Sequence, residues 1–125
     1  MQNNLLPYCL LVRSQLLRCA EQEGLKLALH VEPYEGRNAA TLRRDLEYAS
    51  KTYGDHPAMQ KHKGRIVYYL YDSYREPATE WAKLFDPSGQ QTVRNTPLDG
   101  TFICLLLDRG HMQYAVDAHC DGYCE

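Results

Sequence analysis

What this sequence has little of narrows its function first. It has no basic block: 14 Lys and Arg are interspersed with 16 Asp and Glu along 125 residues, for a formal net charge of −2. Neutralising a phosphate backbone takes clustered cations, so nucleic acid is not an expected partner. Long apolar runs are missing as well. The early stretch "LLPYCLLVRSQLL" is interrupted by Pro7 and Arg13 and is too short to span a bilayer. It reads as an amphipathic helix rather than a signal core, and no membrane segment is expected in the chain. There is no glycine-rich phosphate loop, since "EPYEGRN" lacks the G-x-G-x-x-G that a dinucleotide fold carries after its first strand. Cysteine is odd in number at five (Cys9, Cys19, Cys104, Cys120, Cys124), so complete pairing within the chain is impossible and no disulfide framework can be read. Phenylalanine is scarce, at two against ten tyrosines. Phenols combine an apolar face with a hydroxyl, which suits stacking on polar ligands, although a buried tyrosine with a bonded hydroxyl is the commoner use of the residue.

What is present is an alternation. With 44 % apolar residues the chain can build one core, so residues 1–125 are expected to form one domain or part of one, with no second domain. Leu6, Leu10, Leu16, Leu17 and Ala20 recur at helical spacing over Leu5 to Glu23, and Gly24 supplies a stop. "LKLALHV" is short, bounded and strand-like. Asn38 is placed to cap a helix whose inward face carries Leu42, Leu46, Ala49 and Tyr53, ending at Gly54. The polar "GDHPAMQKHKG" reads as a loop. "RIVYYLYDSY" is β-branched and aromatic, hence a strand, and "EPATEWAKLF" tolerates Pro77 at a helix start with Trp81, Leu84 and Phe85 inward. "DPSGQQ" ends that helix. "GTFICLLLD" has the near-continuous apolar pattern of a strand covered on both faces. "GHMQYAVDAH" is a short helix, and a last strand starts near "CDGYCE". Helix and strand therefore alternate, which argues for βαβ units, a parallel sheet and right-handed crossovers.

In parallel α/β folds, ligands bind beyond the carboxyl ends of the strands. The first strand ends in His30, Glu32 and Tyr34; the second in Tyr71, Asp72, Ser73 and Tyr74; the third in Asp108, Arg109 and His111. These hydroxyls, carboxylates and imidazoles suit a neutral, hydroxyl-rich ligand. Each has a plainer reading too: Glu32 can pair with Arg37, His30 can be a core histidine, Asp72 can cap a turn and His111 can begin a helix. Trp81 reads as packing remote from the strand ends.

Several segments in order, "GLKLALHVEPYEGR", "YYLYDSY", "VRNTPLDGTFICLLLDRGH" and the "DG" of Asp121 and Gly122, together resemble the glycoside hydrolase family of endo-α-1,2-mannosidases, family ninety-nine. The resemblance implies a (β/α)₈ barrel that cuts within mannose chains of N-linked glycans or of mannan. Animal members are Golgi proteins, and bacterial ones are secreted or periplasmic. It places Glu32 of the H-x-E-P-Y segment beside the cleaved bond with His30 and Tyr34 flanking it, and Tyr71, Asp72 and Tyr74 as sugar contacts at the next strand end. Arg94 and Asn95 become structural or cleft-rim residues. The expected ligand is a mannose-containing oligosaccharide, and no metal or other cofactor is implied. The family's acid–base glutamates lie in an Asn-Glu-Trp-His-Glu motif that is not in this sequence, so no catalytic residue is assigned. A whole barrel takes roughly 250 residues, so the expected architecture is an incomplete (β/α)₈ TIM-type barrel, about half of one. Open strand edges would then favour self-association.

Three functions follow as expectations. The chain is a partial endo-α-mannosidase carrying part of the sugar cleft, or a non-catalytic carbohydrate-binding remnant, or a small α/β metal or redox protein using Cys120 and Cys124 with His119. Cys104, inside "FICLLL", reads as a small buried hydrophobe.

Overall fold

A computed structural model describes residues 14–125. Of the helix expected over Leu5 to Glu23, the described part is α1 (Ser14–Gln22); its earlier half lies outside the described residues. α1 buries Leu17 and Ala20, while Leu16 is exposed. Gly24, at φ +71°, ends it: its N–H bonds Glu21 O and the Leu25 N–H bonds Ala20 O, a pair of bonds that satisfies the last carbonyls and needs a left-handed residue at this point.

The strands follow as β1 (Leu29–Val31), β2 (Lys61–His62), β3 (Arg65–Leu70), β4 (Thr101–Leu105) and β5 (Gly122–Cys124). Between them run α2 (Ala39–Tyr53), α3 (Ala78–Phe85) and α4 (Met112–Asp117). β1, β3, β4 and β5 lie side by side in that order and all pairings among them are parallel. Each strand is thus laid beside the one before it, in one direction. Right-handed crossovers of that kind deliver every helix to the same face, the arrangement of a barrel wall rather than of a sheet wound in both directions.

The register separates two faces. Leu29, Val31, Ile66, Tyr68, Leu70, Phe102, Cys104 and Leu106 face the helices and join Leu42, Leu46, Trp81, Leu84, Phe85 and Ala115 in one buried cluster. At its centre Phe85 stacks on Phe102, with ring centroids 4.3 Å apart, and Phe102 stacks on Tyr68 at 5.4 Å. Each fully buried ring of this size contributes roughly 2–3 kcal/mol of apolar burial. The opposite, open face carries His30, Val67, Tyr69, Thr101, Ile103 and Leu105. Ile103 and Leu105 are half-buried there, so the expected cover on both faces of β4 is complete only on the helix side.

Asn38 caps α2 as expected. Its side-chain oxygen accepts from the Thr41 N–H at 2.9 Å, and its own N–H reaches Thr41 Oγ1 at 2.8 Å. Leu42, Leu46, Ala49 and Tyr53 are buried. Glu80 of α3 adds a second cap, accepting from the Ala39 N–H at 2.8 Å; that bond and Lys83 hold its carboxyl below the usual range.

One segment corrects the expectation. "GDHPAMQKHKG" is not only a loop: Met59 bridges Leu27, and β2 pairs antiparallel with β3 through a two-residue turn, Lys63 at φ +53° and Gly64 at φ +80°. Two consecutive left-handed residues match the tight hairpin turn whose twist suits the strands. Lysine in the first of these positions hides the signal that Asn-Gly or Asp-Gly would have carried. No helix among the described residues is long and apolar enough to cross a membrane.

Candidate functional site

At the carboxyl ends of β1 and β3, the open face presents an aromatic group. His30 sits edge-on to Tyr71, centroids 5.2 Å apart, and to Tyr69 at 6.0 Å. The parallel register pairs His30 with Tyr69, and Tyr71 follows two residues on, on the same side. Glu32, the next residue of that phase after His30, is exposed at the mouth. Imidazole, two phenols and a carboxylate on one rim supply ring faces, hydroxyl donors and a charged acceptor, a set suited to a sugar.

The other expected site residues make further contacts. Tyr34 is half-buried against the core, and its phenol donates to Asp45 Oδ2 of α2 at 2.5 Å, tying the loop after β1 to the helix behind it. Burial and the Asp45 bond both push the Tyr34 hydroxyl up. Asp45 is raised to about 6 because burial outweighs the Tyr34 hydrogen bond and the charge of Arg44. This strongly shifted carboxyl belongs to a packing contact behind the sheet, not to the mouth. Tyr74 is tilted against His111, centroids 6.3 Å apart, and its hydroxyl is raised by desolvation and by a hydrogen bond with Asp72. Asp72 itself is left-handed, φ +47° and ψ +46°, with its carboxylate 3.4 Å from Arg75. His111 closes a 3-10 turn just before α4.

Beneath the mouth lie the residues that support it. Arg37 is buried, donates to Glu76 at 2.8 Å, and also reaches the carbonyls of Val31, Tyr71 and Asp72. Arg37 thus pairs with Glu76. Trp81 is fully buried, but it is not remote from the strand ends: its Nε1 donates to Ser73 O at 2.9 Å. Ser73 Oγ donates to Leu105 O at 2.8 Å, and Tyr114 donates to the carbonyls of Ser73 and Glu76. The turn 71–76 is therefore held from three elements. Tyr69 could have been found from the sequence, because a strand's period of two puts it on the face of Tyr71. Arg37 carried no such signal, and Ser73, one of the polar residues at the second strand end, holds Leu105 O.

The opposite end of the sheet is built for stability. Arg94 donates to Phe85 O, Gly100 O, His119 O, Asp99 and Asp121, and lies over the rings of Phe85 and Phe102. This places "VRNTPLDG" and Asp121 in a brace under β4 and β5, the structural side of the earlier reading of Arg94. The Asn95 N–H bonds Asp99 in that brace, with Asn95 at φ +61°. A concavity of about 650 Å³ lies low on the open face, among Lys26, His62, Arg65, Val67 and Thr101, and Tyr69, whose ring meets His30 at the mouth, also lines it.

Cys104 and Cys120 form a disulfide, Cα atoms 6.2 Å apart, tying β4 to the turn before β5. This corrects the reading of Cys104 as a plain buried hydrophobe. It also removes Cys120 as a thiolate ligand, so the Cys120–Cys124 metal site fails. Among the described residues, no three His, Cys, Asp or Glu side chains are grouped to hold a metal.

The profile of glycosyl hydrolase family 99 matches residues 8–125. The chain belongs to this family. Its family 99 relatives include the human glycoprotein endo-alpha-1,2-mannosidase-like protein, 38% identical over 112 residues, and the Xenopus laevis glycoprotein endo-alpha-1,2-mannosidase, 40% identical over 113. Each alignment covers 86% of this chain but only 24% and 25% of the relative, so the chain spans about a quarter of their length. The family 99 endo-alpha-mannosidase of Bacteroides thetaiotaomicron superposes with a TM-score of 0.85 at 42% identity, over 88% of this chain and 32% of that one. A structure of the same enzyme with bis-tris propane gives 0.84. The wall of sequential parallel strands is thus part of a family 99 barrel.

Proposed function

We propose that this chain forms one side of an endo-α-mannosidase cleft and binds α-1,2-linked mannosides of N-glycans or mannan at the mouth of β1 and β3. Glu32, His30 and Tyr71 contact the sugar directly. Asp72 and Tyr74 extend the rim, and Tyr34 acts through its hold on the loop that carries Glu32. The observation that carries this reading is the grouping of His30, Tyr69 and Tyr71 on the open face at the strand ends of a family 99 wall.

Cleavage of a glycosidic bond ordinarily requires two carboxyl groups flanking it, one as proton donor and one as base or nucleophile. The 125 residues contain no Asn-Glu-Trp-His-Glu segment, so the chain binds without hydrolysing. The Cys104–Cys120 disulfide fits an oxidising lumen, the Golgi for an animal-type member and the periplasm or exterior for a bacterial one. Titration calorimetry with an α-1,2-linked mannose oligosaccharide tests the reading. Binding by the chain and its loss in Glu32→Gln are expected, together with no release of disaccharide from a glucosylated high-mannose glycan. Absence of binding, or unchanged binding in the variant, would overturn it.

A further inference from the structure

We propose that Arg37 is the positioning residue of the mouth, a buried clamp that sets the backbone presenting Glu32, Tyr71, Asp72 and Tyr74. The assignment of those side chains to a sugar rests on the functional reading above, whereas the clamp itself rests on geometry alone.

The Arg37 side chain is 1% exposed and all three nitrogens of its guanidinium are engaged. Nε donates to Glu76 Oε1 at 2.8 Å, one terminal nitrogen reaches Tyr71 O at 2.9 Å and Val31 O at 3.2 Å, and the other reaches Asp72 O at 3.0 Å. Its Cζ lies 5.4 Å from the centroid of the Trp81 ring, which closes the remaining side with an aromatic face. A planar fork with several fixed donors can gather acceptors from two strand ends at once, and lysine, a single point charge, cannot.

Two consequences are built into this arrangement. In an extended strand, successive carbonyls point to opposite sides, so Tyr71 O and Asp72 O can converge on one cation only if the chain leaves strand geometry between them. Asp72 does so, at φ +47°. A left-handed aspartate is uncommon and is retained where its surroundings hold it. Here the guanidinium collects the two carbonyls that the reversal turns inward, so the conformation of Asp72 and the position of Arg37 are coupled. The same turn sets Tyr71, whose ring meets His30, and the Asp72 carboxylate, which bonds Tyr74. On the β1 side, Val31 O accepts both Arg37 and the Tyr71 N–H at 3.0 Å, which fixes the plane of the peptide leading into Glu32. The stretch "HVEPYEGR" thus carries both a rim carboxylate and, five residues on, the side chain that aims it.

Arg94 provides an internal control, since it is an equally networked arginine at the far end of the sheet. The experiment compares Arg37→Lys, Glu76→Gln and Arg94→Lys in the 125-residue chain by amide hydrogen exchange, the Asp72 ¹³C shifts and calorimetric titration with α-1,2-mannobiose. Arg37→Lys is expected to speed exchange at residues 71–76 at least tenfold, to move the Asp72 shifts away from left-handed values, and to weaken mannobiose binding at least tenfold. Glu76→Gln, which keeps the shape of the acceptor, should do the same more mildly and serves if Arg37→Lys does not fold. Arg94→Lys should lower the melting temperature while leaving Asp72 and binding unchanged. An unaltered Asp72 signature in both mouth variants, or equal effects of the Arg37 and Arg94 changes on it, would overturn the clamp. If the parent chain binds no mannobiose, the functional reading falls, and the clamp is decided by Asp72 and the exchange rates.

Discussion

Asp45 is a carboxylate 1% exposed in the interior-facing side of α2, joined to the phenol of Tyr34. Its folded pKa of about 6 stands above the ordinary 3.8, so between these values the folded state holds the proton more tightly than the unfolded one. Stability from this group is fully present below pH 4 and is lost as the pH rises through 6. Asp99 has the opposite sign. Its desolvation is outweighed by bonds from Asn95, Arg94 and Gly100, its pKa is lowered, and its contribution is present at neutral pH and lost on acidification. Asp45→Asn keeps an acceptor for Tyr34 and removes the titration. We expect the variant to gain stability over the parent at pH 7 and to lose that advantage near pH 4, read from urea midpoints at the two values. An equal difference at both would show that folding does not raise the Asp45 pKa. That Tyr34 serves this contact could not be read from "EPYEG", because the partner lies eleven residues on, on a helix face whose other inward residues are apolar.

At the scale of elements, capping and cross-linking dominate. Asn38→Ala removes the reciprocal bonds with Thr41, and a loss of about 1 kcal/mol is expected in denaturant unfolding. The Cys104–Cys120 disulfide closes a loop with a sequence separation of 16, worth about 3 kcal/mol by chain entropy. Reduction should therefore lower the melting temperature and loosen β5 and α4 before β1 and β3, as measured by hydrogen exchange. Exchange loosened uniformly would argue against this local role. The helices and the parallel strands were legible in the sequence because 3.6-residue and two-residue periods, the Asn38 cap and the Gly24 stop are local signals. The β2 hairpin was not, since two strand residues and a Lys-Gly turn are too short for a period. The disulfide was not either, because an odd count of cysteines gives no pairing and Cys104 sits in an otherwise apolar strand.

At the scale of the molecule, Leu16, Leu25, Tyr71, Leu107, Met112, Val116 and Tyr123 are exposed large apolar side chains, and Tyr123 of β5 meets Met112 of α4 beside the outer strand of the sheet. Apolar surface beside an open strand edge favours association. Sedimentation velocity on the chain is expected to give a mass that rises with concentration, and a fixed monomer across the range would contradict it. The mouth was partly legible for a general reason: parallel walls place ligands at strand ends, and the polar residues there stand out against apolar strands. Its support was not, because Arg37, Ser73 and Trp81 act through backbone carbonyls, and a sequence records no partner for a carbonyl.

The order β1, β3, β4, β5 also has a temporal meaning. Apart from the two-residue β2, each strand pairs on one side with the strand synthesised before it, so a chain emerging from the ribosome never holds an early strand in reserve for a distant late partner. Assembly can proceed at the pace of synthesis, one strand and helix at a time. Among the described strands the wall then grows at its newest edge, while the outer edge of β1 stays open from the start.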